Sequence, residues 1–296
     1  MTVAILIRGK CGLSKCITYY LVAMAVADLL VVIFDLIMRH IPIVYREHFN
    51  FLRSIPVCNL HAVLLYAATD CSVWFTVAFT LDRFVAICCK ELKSKYCTEK
   101  MAAVVLGIVS VLSCLKNIFW YFMLTGLYVL MNIPWFCDVT NNIRNSRIWT
   151  SIEFFHHVLT PGIPFVLILL INAFTVRHIL VASSVRRRLR THRSGEGSRD
   201  PEMERRRKSI ILLFVISGNF IVLWAVLMVF SIYNRMWYLG YRVISLPAFV
   251  QEMALMSQLM SCCTNTCIYA LTQAKIREQL MNMVKYPFMV IVKLIK

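Results

Sequence analysis

The 296-residue chain has few charged residues and few glycines. Only 16% of its residues are charged and nine are glycine, whereas 59% are hydrophobic. A soluble domain of this length is far more polar. The chain also has no glycine-rich phosphate loop, no histidine pair at zinc-binding spacing and no nucleophile elbow. The composition therefore predicts a membrane protein, and the missing motifs argue against an enzyme.

Six apolar stretches are long enough to cross a bilayer as α-helices. About 20 helical residues, at about 1.5 Å each, cross a hydrocarbon layer of about 30 Å. None of the stretches alternates apolar and polar residues, as strands of a membrane barrel do. The sequence therefore predicts an all-α membrane protein. The stretches are residues 17–38, 58–89, 101–125, 149–181, 209–233 and 242–272.

The first seven residues form a shorter apolar stretch. As a helix they would extend only about 10 Å, a third of the hydrocarbon thickness. Basic residues follow them, whereas the charges of a signal peptide come first. We therefore expect residues 1–285 to form a seven-transmembrane helix bundle. Its first helix would be incomplete, through a late start codon or an incomplete gene model.

The end of the chain predicts a short amphipathic C-terminal helix. From Ala274 to Val284, apolar Ile276, Leu280, Met281 and Val284 stand beside Lys275 and Arg277, a pattern suited to a short helix on the inner leaflet of the membrane. Residues 286–296 would form a short tail.

Lysine and arginine are distributed unequally between the two sides of this bundle. If the first loop is cytoplasmic, 24 of the 32 Lys and Arg residues lie on that side and 7 on the other. The positive-inside rule favours this orientation. The net charge of +17 thus indicates orientation and contact with anionic membrane lipids, and not nucleic-acid binding.

The third cytoplasmic loop, at about residues 184–208, is basic and interrupted by Gly195, Gly197 and Pro201. One interpretation is a solvated loop lying along the membrane. The other is that both ends continue the fifth and sixth helices and contact an acidic partner.

Only two of the 12 cysteines fall on the outer side. Cys58 begins the third span, and Cys137 lies in the loop after the fourth span. Because the exterior is oxidising, we expect a disulfide between them that holds this loop over the mouth of the bundle.

Charged residues within or at the ends of spans are costly and need partners. Asp82 and Arg83 end the third span and form either a functional pair or an ion pair that reaches to the lipid headgroups. Asp70 and Lys116 have similar depths, which predicts a buried ion pair. Alternatively, each faces water or a carbonyl group separately.

In their order and spacing these features resemble the rhodopsin-like (class A) G-protein-coupled receptors. The second span has LVAMAVADL at residues 21–29, similar to the family's L-x-x-x-x-x-A-D-L, and Asp82-Arg83-Phe84 is similar to D-R-Y. Residues 265–269 (NTCIY) are similar to N-P-x-x-Y. Residues 72–77, 80–83 and 223–225 most resemble the orphan branch that includes probable G-protein-coupled receptor 139.

The resemblance implies a plasma-membrane receptor that binds an extracellular ligand and activates a heterotrimeric G protein. The branch is associated with aromatic amino acids or peptides. The resemblance implies no cofactor apart from a sodium ion at Asp28, in a polar network with Ser72, Ser261 and Asn265. A protonated Asp28 that bonds a neighbouring helix is the alternative reading.

By the same resemblance, activation would release Arg83 from Asp82, and Arg83 would then help to accept the C-terminal helix of a G-protein α subunit. Tyr269 would move inward beneath Trp224. The chain departs from the family pattern in several places. Phe84 replaces a tyrosine, and Val226 and Thr266 replace the prolines of spans six and seven. Arg206 stands where some members have an acidic residue that holds the arginine, so a resting lock would use Glu202 or Glu204.

The outer pocket is first defined by what it lacks. Leu65 stands where amine receptors have an aspartate, and Leu259 where opsins have the retinal lysine. Aromatic, apolar and hydrogen-bonding residues would line it instead, which suits a small zwitterion or a peptide. Its adjacent histidines point about 100° apart on a helix, which argues against metal binding by the pair. The predicted pocket residues are His61, Leu65, Tyr66, Thr69, Glu153, His156, His157, Gln251 and Glu252.

Two other functions stay open. In a small polytopic transporter, Asp28, Asp70 and Lys116 would form a transport path, although no internal repeat is apparent. The chain could also be a receptor-derived membrane protein that does not signal.

Overall fold

The computed structural model describes residues 2–7, 13–45, 48–49, 52, 54–126, 137–144, 146–190, 201–241, 246–282 and 285. Seven helices, α1 to α7, follow one another along this part of the chain. α1 is Thr2–Ile7. α2 is Lys15–Val31, continued by a π-helical segment, Val32–His40, and by Ile41–Val44. α3 is Ile55–Cys88, and α4 is Glu99–Asn117 with a 3-10 extension, Ile118–Phe122.

α5 has three parts: Arg147–His157, a π-type turn at Val158–Gly162, and Ile163–Arg190. α6 is Pro201–Tyr238 and α7 is Ala248–Thr272. Shorter helical segments cover Lys90–Tyr96, Asn141–Arg144 and residues 274–282. Two short strands, β1 (Leu124–Thr125) and β2 (Asp138–Val139), pair antiparallel, with Leu124 opposite Val139.

Side-chain caps define where three of the helices begin. Ser14, Thr98 and Ser146 precede α2, α4 and α5, and each side-chain oxygen accepts a hydrogen bond from a backbone N–H of the first turn. These contacts satisfy donors that the first turn of a helix leaves free.

Five segments of the described chain are long and apolar enough to cross a membrane, one fewer than the six full-length spans predicted. They are Lys15–His40, Ile55–Cys88, Glu99–Phe122, Arg147–Ser184 and Ser209–Trp237. The difference is α7, which has 25 residues but contains Gln251, Glu252, Gln258 and Asn265 among its apolar residues. α7 packs against α6 and α2. Its polar residues therefore reduce its apolar character but can be satisfied by the bundle.

α3 is the most enclosed of these helices. In the most apolar 18-residue segment of α3, 61% of the residues are buried. The corresponding shares are 17% in α4 and 11% in α5. α3 packs against α2, α4, α5 and α6. Charged residues on α3 therefore face protein on several sides.

The fifth and sixth helices extend into the predicted third loop. α5 continues to Arg190 and α6 begins at Pro201, and residues 191–200 lie outside the described part of the chain. The predicted helix after α7 is present over residues 274–282. Its Ile276 is buried in a cluster of hydrophobic residues that also contains Leu6 and Tyr269, here called the inner core. The predicted tail, residues 286–296, lies outside the described residues.

Candidate functional site

Asp82 and Arg83 form a buried ion pair at the inner end of α3. Arg83 Nε lies 3.0 Å from Asp82 Oδ2, and Arg83 Nη2 bonds the same oxygen. The two residues are only 8% and 5% exposed. The guanidinium carbon lies 6.0 Å from the ring centre of Phe79. The pair thus packs within protein, and Phe84 beside it is partly buried.

Two thiols contact Asp82 from outside α3. Cys16 Sγ donates to Asp82 Oδ1 at 3.4 Å, and Cys97 Sγ donates to the backbone oxygen of Asp82 at 3.5 Å. Burial, and then the Asp82 carboxylate, raises the pKa of the Cys97 thiol to about 11. This thiol is therefore protonated at neutral pH and able to donate.

On the α6 side, Arg83 meets a hydroxyl group. Arg83 Nη1 lies 3.5 Å from Ser209 Oγ, a long hydrogen bond. The side chains of Glu202 and Glu204 lie outside the described residues. α6 is a continuous helix through Ser217 and Gly218.

Asp28 lies in a polar network between α2, α3 and α7. Its Oδ1 accepts from Ser72 Oγ at 2.6 Å, and its Oδ2 accepts from Asn265 Nδ2 at 2.8 Å. Asp28 is 5% exposed, and among the described residues no Lys or Arg pairs with it. The carboxylate is thus buried with hydrogen bonds, and no cation from the described part of the chain pairs with it.

This network continues onto α6 through residues that the sequence did not predict. Asn219 Nδ2 donates to Asn265 Oδ1 at 3.5 Å, and Asn219 Oδ1 accepts from Thr264 at 2.9 Å. Ser261, expected beside Asp28, instead accepts from Trp224 Nε1 at 3.2 Å. α6 and α7 are therefore joined by polar contacts at two levels.

Trp224 and Tyr269, both predicted parts of the switch, are buried in two separate clusters of hydrophobic residues. Trp224 stacks on Phe220, with ring centres 5.4 Å apart. Tyr269 lies in the inner core, and its hydroxyl has no hydrogen-bond partner among the described residues.

Asp70 and Lys116, predicted from depth alone to pair, lie in contact. Lys116 Nζ is 2.7 Å from Asp70 Oδ2, and Asn117 Nδ2 donates to the same oxygen. Asp70 is 1% exposed. Asn117 Oδ1 also accepts from Trp120 Nε1 at 3.0 Å, which links the pair to the outer aromatic residues.

Part of the predicted ligand pocket is an aromatic cluster between α3, α4 and α5. Tyr66 stacks on Trp120 with ring centres 4.5 Å apart, and His156 meets both rings edge-on at 5.3 and 5.0 Å. Phe119 packs against Trp120 and Trp149. These rings form one wall at the outer end of the bundle.

An ion pair between α5 and α6 adjoins this wall. Glu153 pairs with Arg235 through Oε2 and Nη1. His157 Nδ1 lies 2.7 Å from the backbone oxygen of Glu153. Glu153 is thus already neutralised by a residue of α6.

The other predicted pocket residues face α2 and α7. His61 Nε2 lies 2.7 Å from the backbone oxygen of Phe34 on α2. Thr69 Oγ1 accepts from Gln258 Nε2 at 3.4 Å. Leu65 is buried on α3. Gln251 and Glu252 are partly buried near the start of α7.

A disulfide and a hairpin cover the outer end of α3. Cys58 and Cys137 are joined, with Cα atoms 6.1 Å apart. Asn59 Oδ1 accepts from the backbone N–H of Leu124 at 3.0 Å, which holds the β1–β2 hairpin against α3. The loop predicted to lie over the mouth is thus attached at two neighbouring positions of one helix.

The model of the family "7 transmembrane receptor (rhodopsin family)" matches residues 1–269. The chain belongs to this family. The class A prediction is thereby confirmed, and with it a multi-pass membrane protein of the seven-helix receptor type. No curated protein matches the chain.

Several residues that make contacts in this structure do not belong to any of the family motifs. Arg39 Nη1 lies 2.6 Å from Asp35 Oδ1 in the π-helical part of α2, and Asp35 is 1% exposed. Their separation of four residues is a recognisable helix-pair signal. Arg235 and Asn219 carry no such signal, because their partners come from other helices.

Proposed function

We propose that this rhodopsin-family chain is a plasma-membrane receptor that binds an extracellular small molecule or peptide and activates a heterotrimeric G protein. The Asp82–Arg83 pair carries this proposal. It is buried, it contacts α2 through Cys16, and it contacts α6 through Ser209. A movement of α6 would break the long Ser209 contact and leave Arg83 free to change partner.

Ligand-independent G-protein activation in cells tests the proposal. We expect the wild type to activate above mock-transfected cells and Arg83→Ala to fall to the mock level at equal surface expression. Arg277→Ala, a change of an exposed arginine on the segment after α7, is the matched control and should signal as the wild type does. Activity that survives in Arg83→Ala would contradict the role of the pair.

The balance of charge at the outer end favours a zwitterion or a peptide as the ligand. Glu153 pairs with Arg235, and Asp35 pairs with Arg39. Tyr66 lies within electrostatic range of both pairs. Two ion pairs without net charge beside aromatic rings suit a ligand that has polar groups but no net charge.

Kinship to the orphan branch of probable G-protein-coupled receptor 139 rests on residues 72–77, 80–83 and 223–225. It makes aromatic amino acids and their short peptides the first ligands to test. Glu153→Gln and Arg235→Gln should each weaken the response to an active compound, whereas Arg144→Gln, in the outer loop, should not.

A sodium ion is proposed at Asp28. The carboxylate of Asp28 and the oxygens of Ser72 and Asn265 are hard donors of the kind that sodium prefers. The fit is supported by the burial of Asp28 without a cationic partner among the described residues. Bound there, sodium would supply the missing positive charge between α2, α3 and α7.

The transporter alternative is less well supported. Asp28 is bonded to Ser72 and Asn265, whereas Asp70 is bonded to Lys116 and Asn117. The two acidic residues thus belong to separate clusters, each with its own partners. If the wild type activates no member of a panel of G-protein α subunits, the other alternative is favoured, a receptor-derived membrane protein that does not signal.

A further inference from the structure

α5 is interrupted by a turn that separates its outer part from its inner part. Arg147–His157 and Ile163–Arg190 are helical, but between them Thr160 has an extended backbone (φ −144°, ψ 112°). Pro161 has no N–H to donate to the helical ladder. Because the ladder is broken here, side-chain contacts at the turn help to decide how the outer part is placed.

The side chain of Thr160 is held by two other helices. Its hydroxyl oxygen accepts from Lys116 Nζ of α4 at 3.1 Å and from Trp74 Nε1 of α3 at 3.2 Å. A hydroxyl oxygen has two lone pairs, so both are in use, and the Thr160 hydroxyl also forms a hydrogen bond with the Asp70 carboxylate. Thr160 is itself 4% exposed.

The Lys116 ammonium group joins these contacts to a fixed charge. It lies 2.7 Å from Asp70 Oδ2 as well as 3.1 Å from Thr160. An ammonium group in this part of the bundle cannot readily leave its carboxylate, because both charges would be left unpaired in a poorly solvated environment. Of its two contacts, the one with the neutral Thr160 is therefore the one that can open.

We propose that Lys116 is a latch residue that positions the outer part of α5. Asp70 anchors the ammonium group, and the ammonium group holds the turn at Thr160. The outer part so held carries Glu153, His156 and His157. The proposal rests on the proposed function only in treating these three residues as facing a ligand.

The distance between α5 and α6 at their outer ends measures the effect of the latch directly. Glu153 and Arg235 are in contact there and can both be replaced by cysteine. A protease site placed within residues 191–200 separates α5 from α6 after cleavage. A short bis-methanethiosulfonate reagent that links the new cysteines then joins the two fragments. The Cys58–Cys137 disulfide does not interfere, because both cysteines lie in the first fragment. Parallel receptors with only one new cysteine measure the background from native thiols.

Four changes in this double-cysteine receptor isolate the latch. Thr160→Val removes both accepted hydrogen bonds and the hydroxyl contact with Asp70, keeps the shape, and retains both charges of the Lys116–Asp70 pair. Thr160→Ser keeps the hydroxyl. Trp74→Phe removes only the contact from α3. Thr175→Val is the matched control, since Thr175 is a buried threonine of α5 that bonds only its own helix, at Ile171, at 2.8 Å.

We expect Thr160→Val to lower the cross-linking yield about tenfold or more, as expected for loss of a hydrogen bond to a charged group. Thr160→Ser, Trp74→Phe and Thr175→Val should keep the yield of the parent receptor. The paired change Asp70→Asn with Lys116→Met, which leaves no buried charge, should lower it as Thr160→Val does. Parental yield in both Thr160→Val and the paired change would overturn the proposal, as would an equal loss in Thr175→Val. The measurement needs neither a ligand nor a G protein, so its failure would be separate from failure of the proposed function.

Discussion

Lys116 Nζ of α4 lies 2.7 Å from Asp70 Oδ2 of α3, within the membrane-embedded part of the bundle. Asp70 is 1% exposed, whereas the Lys116 side chain is 22% exposed. Each charge offsets the cost of burying the other. The acid is thus the more enclosed partner and the one that suffers most if the pair is broken.

Removing only one charge of this pair should impair folding, and removing both should not. Asp70→Asn leaves an unpaired ammonium group, a change that commonly costs about 3–5 kcal/mol. We therefore expect lower surface expression, and we expect Lys116→Met in addition to restore it. Flow cytometry of a tagged receptor on intact cells measures the effect. Arg144→Gln, which breaks the more exposed Asp138 pair, is the control. A double variant as poor as Asp70→Asn would rule out the mutual dependence.

The Cys58–Cys137 disulfide should stabilise the receptor as one unit. It closes a separation of 79 residues, and loss of a structural disulfide typically costs about 2–5 kcal/mol. Cys58→Ser and Cys137→Ser should each lower the thermal stability of the detergent-solubilised receptor, and the double change should be no worse than either. Reductant should destabilise only the wild type. Additive losses would show that the two cysteines act separately.

The Cys97 thiol should react slowly with alkylating reagents at neutral pH. Its pKa is raised to about 11, so the protonated form persists well above neutrality. Because the thiolate is the reactive form, the alkylation rate should still rise about tenfold per pH unit at pH 9 and reach half of its maximum only near pH 11. An ordinary thiol, with a pKa of about 8.5, would approach its plateau above about pH 9. Mass spectrometry of the Cys97 peptide after iodoacetamide pulses measures the rate, and a plateau near pH 9 would contradict the burial of this group.

Residues whose partners lie in the same helix or follow a family motif were accessible from the sequence. The apolar stretches predicted the helices, and depth alone placed Asp70 beside Lys116. The sequence could not show that Ser261 bonds Trp224 while Asn219 joins the Asp28 network, because these contacts depend on the rotation of α6 against α7. No spacing rule fixes the rotation of two neighbouring helices.

The count of spans shows a second limit. Hydropathy measures composition and does not indicate which face of a helix meets lipid. α7 has polar residues along its length. The side chains of Asn265 and Ser261 form hydrogen bonds with Asp28 and Trp224 inside the bundle. The turn of α5 at Thr160 was equally hidden, although Pro161 marked a place where a helix is commonly interrupted.

Sodium should stabilise the receptor through Asp28. The carboxylate is buried between Ser72 and Asn265, and a cation that binds only the folded state adds stability by mass action. At a concentration ten times its dissociation constant the gain is about 1.4 kcal/mol. For a protein of this size the unfolding temperature should therefore rise on the order of 3 °C when sodium chloride replaces choline chloride at equal ionic strength. Asp28→Asn removes the charge that attracts the ion and should abolish the difference. Thr76→Val, which alters a neighbouring hydroxyl of α3 that bonds its own helix at Ser72, should preserve it. A sodium effect that persists in Asp28→Asn would place the ion elsewhere. No effect in the wild type would argue against a sodium ion and favour the alternative, a protonated Asp28 that bonds a neighbouring helix.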